Sequence, residues 1–95
     1  MKYEPLLNAH ASYLNEHKKH KVTIQGNTDE RGSREYNLAL GQKRAENIRQ
    51  ALRFRGVSDN QLEAISFGEE KPKNPEHTEK AWSENRRSDL IYDQE

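Results

Sequence analysis

Apolar residues recur along this chain in short blocks whose period changes from helical to alternating and back. Tyr3, Leu6, Leu7, His10, Tyr13, Leu14 and His17 return at steps of three and four, which predicts a helix over residues 3 to about 18 with Pro5 in its first turn. Val22, Thr23 and Ile24 are β-branched and lead into Gly26, the pattern of a strand over residues 22–25 that ends at a turn. Gly32 then permits a sharp change of direction, Ser33 offers a cap and Glu35 adds negative charge to a first turn, so a long helix is predicted over residues 34–55, stopped by Gly56. Alternation over residues 63–68 predicts a second strand, with Ala64, Ser66 and Gly68 on one face and Ile65 and Phe67 on the other. Pro72 and Pro75 interrupt the polar stretch that follows, residues 80–84 predict one helical turn, and residues 88–92 predict a last strand with Leu90 and Tyr92 on the face of Arg86.

The long helix turns one charge inward. At about 100° per residue, Leu40, Ile48, Ala51 and Leu52 fall within about 120° of one another. Asn37 and Arg44 join that stripe, whereas Lys43, Glu46, Gln50 and Arg53 lie on the far side. A partly desolvated arginine needs a carboxylate or several acceptors, and Asp29, just past the first strand at the mouth of the same helix, is the natural candidate. Two readings follow: an internal Asp29–Arg44 ion pair that ties the loop to the helix, or a paired anion and cation that hold a zwitterionic ligand. Spacing does not separate them.

Composition narrows the function classes. Ninety-five residues make one small domain, residues 1–95, and with 31% hydrophobic against 34% charged residues every apolar position counts. Sixteen basic and sixteen acidic residues cancel, which disfavours nucleic acid or an anionic membrane as main partner. The absence of cysteine excludes disulfides and thiolate metal sites. No stretch is long and apolar enough to cross a membrane, and Met1-Lys2-Tyr3-Glu4 does not read as a secretory signal. His10, His17 and His20 would need further convergent ligands to hold zinc, and His77 lies in a distant loop, so packing and a cationic helix end are expected, with no metal or cofactor. Trp82 is expected to cover the small core. Asp29 and Glu30 could serve as acid and base only if neighbouring loop carboxylates converged, and no nucleophile with a positioned base accompanies them, so no enzymatic activity is expected.

The run G-N-T-D-E-R-G-S-R-E-Y-N-L-A-L-G-Q-K-R-A, followed by S-F-G-E-E-K-P and N-R-R, resembles the family that shares the C-terminal domain of outer-membrane protein A, in its branch of peptidoglycan-associated lipoproteins. The likeness covers about residues 5 to 92, with three separated blocks in the right order. It implies an α/β two-layer sandwich, two main helices packed on one face of a small mixed sheet. It also implies non-catalytic binding of peptidoglycan through the diaminopimelate of the stem peptide, anchoring the outer membrane of a Gram-negative bacterium to the wall from its periplasmic face. By motif the principal ligand residues are Asp29 and Arg44, with Thr28, Asn37 and Arg86 as lesser contributors. Many members carry histidine at the place of Asn27, although asparagine is also common there. The family's signal sequence, lipid-bearing cysteine, tether and first strand are not found in the sequence, so a truncated domain is expected whose exposed sheet edge invites a homodimer. The competing expectation is an interaction module for a periplasmic protein of the Tol system, with wall binding reduced or lost.

Overall fold

The computed structural model describes residues 4–93. Helix α1 (Glu4–Glu16) is followed by strand β1 (Val22–Asn27), the long helix α2 (Arg34–Phe54), a 3₁₀ turn (Asp59–Gln61), strand β2 (Leu62–Gly68), the short helix α3 (Glu79–Asn85) and strand β3 (Ser88–Tyr92). The sheet order is β2-β1-β3, with β1 parallel to β2 and antiparallel to β3, so the sheet is mixed as expected. Tyr3, the expected first residue of α1, lies outside the described residues.

The alternating side chains of β1 decide the layers. Val22 and Ile24 are fully buried on one face, where Ala11 and Leu14 of α1, Ala45 and Leu52 of α2, and Val57 and Leu62 complete the core. Leu90 and Tyr92 of β3 pack against the same cluster, so the face of the last strand read from its alternation is the covered one. Ile65 and Ile91 on the opposite face are exposed.

Three local expectations need correction. Helix α1 ends at Glu16, earlier than expected, where the buried Gln61 side chain gathers carbonyls of the last turn and of the turn beyond it: its amide nitrogen lies 2.9, 3.1 and 3.0 Å from the carbonyl oxygens of Leu14, His17 and His20. Strand β1 runs through Gly26 to Asn27 rather than turning at Gly26. The buried stripe of α2 is Asn37, Gly41, Ala45 and Leu52, with Leu40, Ile48 and Ala51 only half-buried.

One close approach accounts for the last two differences. Gly26 and Gly41 lie back to back, so that a Cβ on Gly26 would sit 1.8 Å from the Gly41 carbonyl oxygen. A Cβ on Gly41 would sit 2.2 Å from Ser66 Oγ and 2.9 Å from the Gly26 carbonyl oxygen. Small residues thus let helix and sheet meet backbone to backbone, a feature that hydrophobic periodicity passes over. The predicted caps hold: Ser33 Oγ accepts from Tyr36 N at 3.1 Å, and Gly56 takes φ +93° just past the helix.

His10 of α1 and His17 just past it pack against aromatic rings. His17 stacks on Tyr13 with ring centroids 4.2 Å apart, and His10 Nδ1 lies 2.5 Å from the Tyr92 hydroxyl. Among the described residues, no group of three or more His, Cys, Asp or Glu side chains could hold a metal ion.

Gly26→Ala is expected to cost about 3 kcal/mol or more, because the clash is with backbone that cannot rotate away. Gly41→Ala is expected to cost less, since its backbone clash, 2.9 Å to the Gly26 carbonyl oxygen, is milder than the 1.8 Å at Gly26 and Ser66 Oγ can turn aside at the loss of its bond from Gly68 N–H. Urea denaturation of the two variants checks both the size and the order, and a loss below about 1 kcal/mol for Gly26→Ala would contradict the contact.

Candidate ligand-binding site

The Gly26–Gly41 contact sets the open end of β1 against the first turns of α2, and a cleft of about 410 Å³ opens there. All five residues singled out in the sequence, Thr28, Asp29, Asn37, Arg44 and Arg86, line it. Arg31, Gly32, Tyr36 and Leu40 complete the lining.

Asp29 is 7% exposed, and its carboxylate is saturated. Oδ1 accepts from the Arg31 backbone N–H at 3.0 Å and from Arg31 Nε at 3.2 Å. Oδ2 accepts from Arg31 Nη2 and from Arg86 Nη1, both at 2.8 Å. The bond from the Arg31 side chain lowers the pKa of Asp29 most; burial opposes it, and Arg86 adds to the lowering, so the carboxyl lies well below its ordinary range. The contact to the Arg31 backbone is a local turn between an aspartate and the residue two further on, and it aims the carboxylate into the cleft.

Arg44 does not take the internal pairing that was one of the two readings offered by spacing. It does not pair with Asp29: Nη1 donates to the Asn27 carbonyl oxygen at 2.8 Å, and no carboxylate lies in ion-pair range of it among the described residues. Half-buried, it turns inward as the helical period predicts and brings its remaining donors to the cleft. The helix-to-loop ion pair is therefore excluded in this structure, and Asp29 answers to Arg31 and Arg86 instead. Arg86 is further held by Glu79 Oε1, which accepts from its Nη2 at 2.8 Å. Arg87 points elsewhere, to Asp89 and the Lys71 carbonyl, as the alternation of β3 predicts.

The lesser residues shape the walls. Thr28, 3% exposed, donates through Oγ1 to the Asp29 carbonyl at 3.0 Å, and its backbone N–H donates to the Gly68 carbonyl at 2.8 Å. Asn37 is 1% exposed and donates from Nδ2 to Glu69 Oε1 at 3.4 Å, tying α2 to the loop after β2. Trp82 does not cover the core. It stands at the rim, donating from Nε1 to Glu30 Oε2 at 2.7 Å, while the Arg31 guanidinium lies over its ring at 4.5 Å. Glu30 is also bonded by His77 at 2.5 and 2.6 Å, so the two neighbouring carboxylates face apart.

Sequence reasoning missed Arg31. The signal available was its position two residues after Asp29 in a turn rich in polar groups, where an aspartate commonly binds the backbone ahead of it.

Fold and cleft together define a small α/β domain that presents a buried carboxylate among arginines at the end of a strand. The chain belongs to the OmpA family, which it matches over residues 1–86. Within it the chain is 49% identical over 92 residues to the peptidoglycan-associated lipoprotein of Legionella pneumophila, covering 97% of this chain and 52% of that protein. It is 50% identical over 90 residues to the peptidoglycan-associated lipoprotein of Haemophilus influenzae, covering 95% and 59%. The chain thus spans little more than half the length of these relatives. The crystal structure of the peptidoglycan-associated lipoprotein from Burkholderia pseudomallei superposes with a TM-score of 0.96 at 56% identity, covering 97% of this chain and 78% of that one.

Asp29 links the site to pH. A carboxyl whose folded value is depressed contributes stability that is fully present above its unfolded value and is lost as pH falls through the folded one. Asp29→Asn is expected to be about 1–3 kcal/mol less stable than the parent at pH 7. The gap should narrow from about pH 4 downward, because only the parent then loses an ionised carboxylate. Denaturation curves of both proteins between pH 7 and pH 2 check this; a gap that widens toward acid would contradict it.

Proposed function

We propose that the domain binds peptidoglycan non-covalently through the diaminopimelate of the stem peptide, at the periplasmic face of the outer membrane, and so holds that membrane to the wall. The observation that carries this reading is Arg44, a half-buried guanidinium with donors open to the cleft and no carboxylate of its own, in the same cleft as the buried Asp29. The names of the relatives support the wall as partner.

The far end of diaminopimelate carries an ammonium and a carboxylate on one carbon, and the cleft offers a complement to each. Arg44 presents a planar fork to the carboxylate, a two-pronged match that lysine cannot reproduce. Asp29, once one of its present donors gives way, accepts from the ammonium in surroundings dry enough to strengthen the bond. The half-buried Leu40 and the ring of Tyr36 flank the methylene chain, and Thr28 and Asn37 fix the walls. A volume of about 410 Å³ accommodates this end of the side chain and leaves the sugar-linked end of the peptide outside. Binding needs no metal and no cofactor in this scheme, and nothing in it breaks a bond of the ligand.

Arg44→Ala should leave the fold near intact, because the parent side chain makes one hydrogen bond there, and should weaken binding to purified sacculi by about 30-fold or more. Arg44→Lys should fall between the two, keeping charge but losing the fork. Cosedimentation with sacculi, alongside thermal melts, measures this; undiminished binding by Arg44→Ala would defeat the proposal.

A further inference from the structure

The hydrogen bonds at Asp29 leave an incoming ammonium no acceptor position. A carboxylate offers about four such positions. Here two donors meet Oδ1 and two meet Oδ2, three of the four belonging to Arg31. A ligand ammonium can bind Asp29 only if a guanidinium leaves.

The surroundings decide which one. The Arg86 side chain is 29% exposed and is clamped by Glu79 as well as by Asp29, whereas the Arg31 side chain is 52% exposed. Arg31 also has a place to go: its guanidinium already lies over the Trp82 ring at 4.5 Å, and Nη1 is 3.9 Å from Glu79 Oε2. Trp82 is held by Glu30, which accepts from its indole N–H, and Glu30 by His77. When the Arg31 side chain departs, its backbone N–H stays on Oδ1, so the carboxylate keeps its aim.

We propose that Arg31 is a built-in stand-in for the ligand's ammonium, bonded to Asp29 in the free protein and displaced onto Trp82 and Glu79 when the ligand binds. This rests on the wall-binding reading above and makes Arg31 the residue that sets discrimination. A ligand with the carboxylate but no ammonium leaves Arg31 in place and gains only the Arg44 contact. A ligand with both groups must outcompete an intramolecular fork. Its apparent affinity is reduced by the fraction of time Arg31 holds Asp29.

The test is calorimetric titration of the parent, Arg31→Ala and Arg31→Lys with the tripeptide L-Ala-γ-D-Glu-meso-diaminopimelate. The control is the same peptide carrying 2-aminopimelate, which lacks the terminal ammonium. If Arg31 keeps Asp29 occupied about nine-tenths of the time, Arg31→Ala should bind the diaminopimelate peptide about tenfold more tightly than the parent, with no gain for the control peptide. Arg31→Lys, which cannot span both carboxylate oxygens, should fall between. In the parent, NMR should show the Arg31 Nε–H losing its protection from exchange at saturating diaminopimelate peptide. Saturable binding by the parent with unchanged or weaker binding by Arg31→Ala would overturn the displacement and leave wall binding standing. No binding of the peptide by the parent would overturn both.

Discussion

The backbone contact between Gly26 and Gly41 is the constraint on which this structure depends. A long helix with side chains at every position stands well clear of a sheet, and its ends then bear no fixed relation to the strand ends beneath. Here two residues without side chains meet, and the helix sinks until Gly41 touches the strand. The contact falls one residue before the end of β1 and two turns into α2. From it, the loop bearing Thr28 and Asp29 and the first three turns of α2, bearing Asn37 and Arg44, are brought into one cleft. Ser33 and Gly32 then close the loop between them with the cap and the positive φ that the route demands.

A chain with so few apolar residues cannot order its loops by hydrophobic burial, and buried amides take that role. Gln61 gathers the carbonyls at the end of α1. Asn85, 4% exposed, accepts from the backbone N–H groups of Lys73 and Asn74 and donates to the Asn74 carbonyl, fixing the proline-bearing loop to α3. Asn37 ties the first turn of α2 to the loop after β2. Gln61 and Asn85 bond backbone groups and Asn37 bonds the Glu69 carboxylate, so the hydrogen bonds these side chains make within the protein offset the cost of burying them. The loops that frame the cleft are thereby held by hydrogen bonds of definite direction, and the walls keep their shape.

What the sequence disclosed follows from which forces act locally. Strand alternation, the Ser33 cap and the Gly56 stop are written in neighbouring residues, and so is the inward turn of Arg44 on its helix. Asp29 at a strand end was legible for the same reason. The partners of Asp29 were not, because one reaches it through a turn whose geometry depends on Gly32 and the other arrives from 57 positions away. Gly41 and Ala45 were passed over because a scale of hydrophobicity gives small residues little weight, although closeness of approach is what they supply. Trp82, expected as a lid over the core, instead finds Glu30 with its indole N–H and a guanidinium with its ring face.

The charges of the cleft are unequal in a way that separates affinity from selectivity. Arg31 and Arg86 bond Asp29, with Glu79 behind both, and Arg44 lines the same cleft. Two carboxylates therefore answer two guanidinia, and Arg44 is the cation left over. A ligand carboxylate that meets the Arg44 fork displaces no protein cation or anion, so it is a net gain. A ligand ammonium at Asp29 replaces one cation by another, and the displaced guanidinium retains an aromatic face and a carboxylate nearby, so the exchange is close to even. In the binding mode proposed here, Arg44 accordingly supplies most of the free energy. Asp29 and Arg31 decide which carboxylate-bearing ligands can complete the fit, and a shift of a few tenths of an ångström in the Gly26–Gly41 contact would disturb both together.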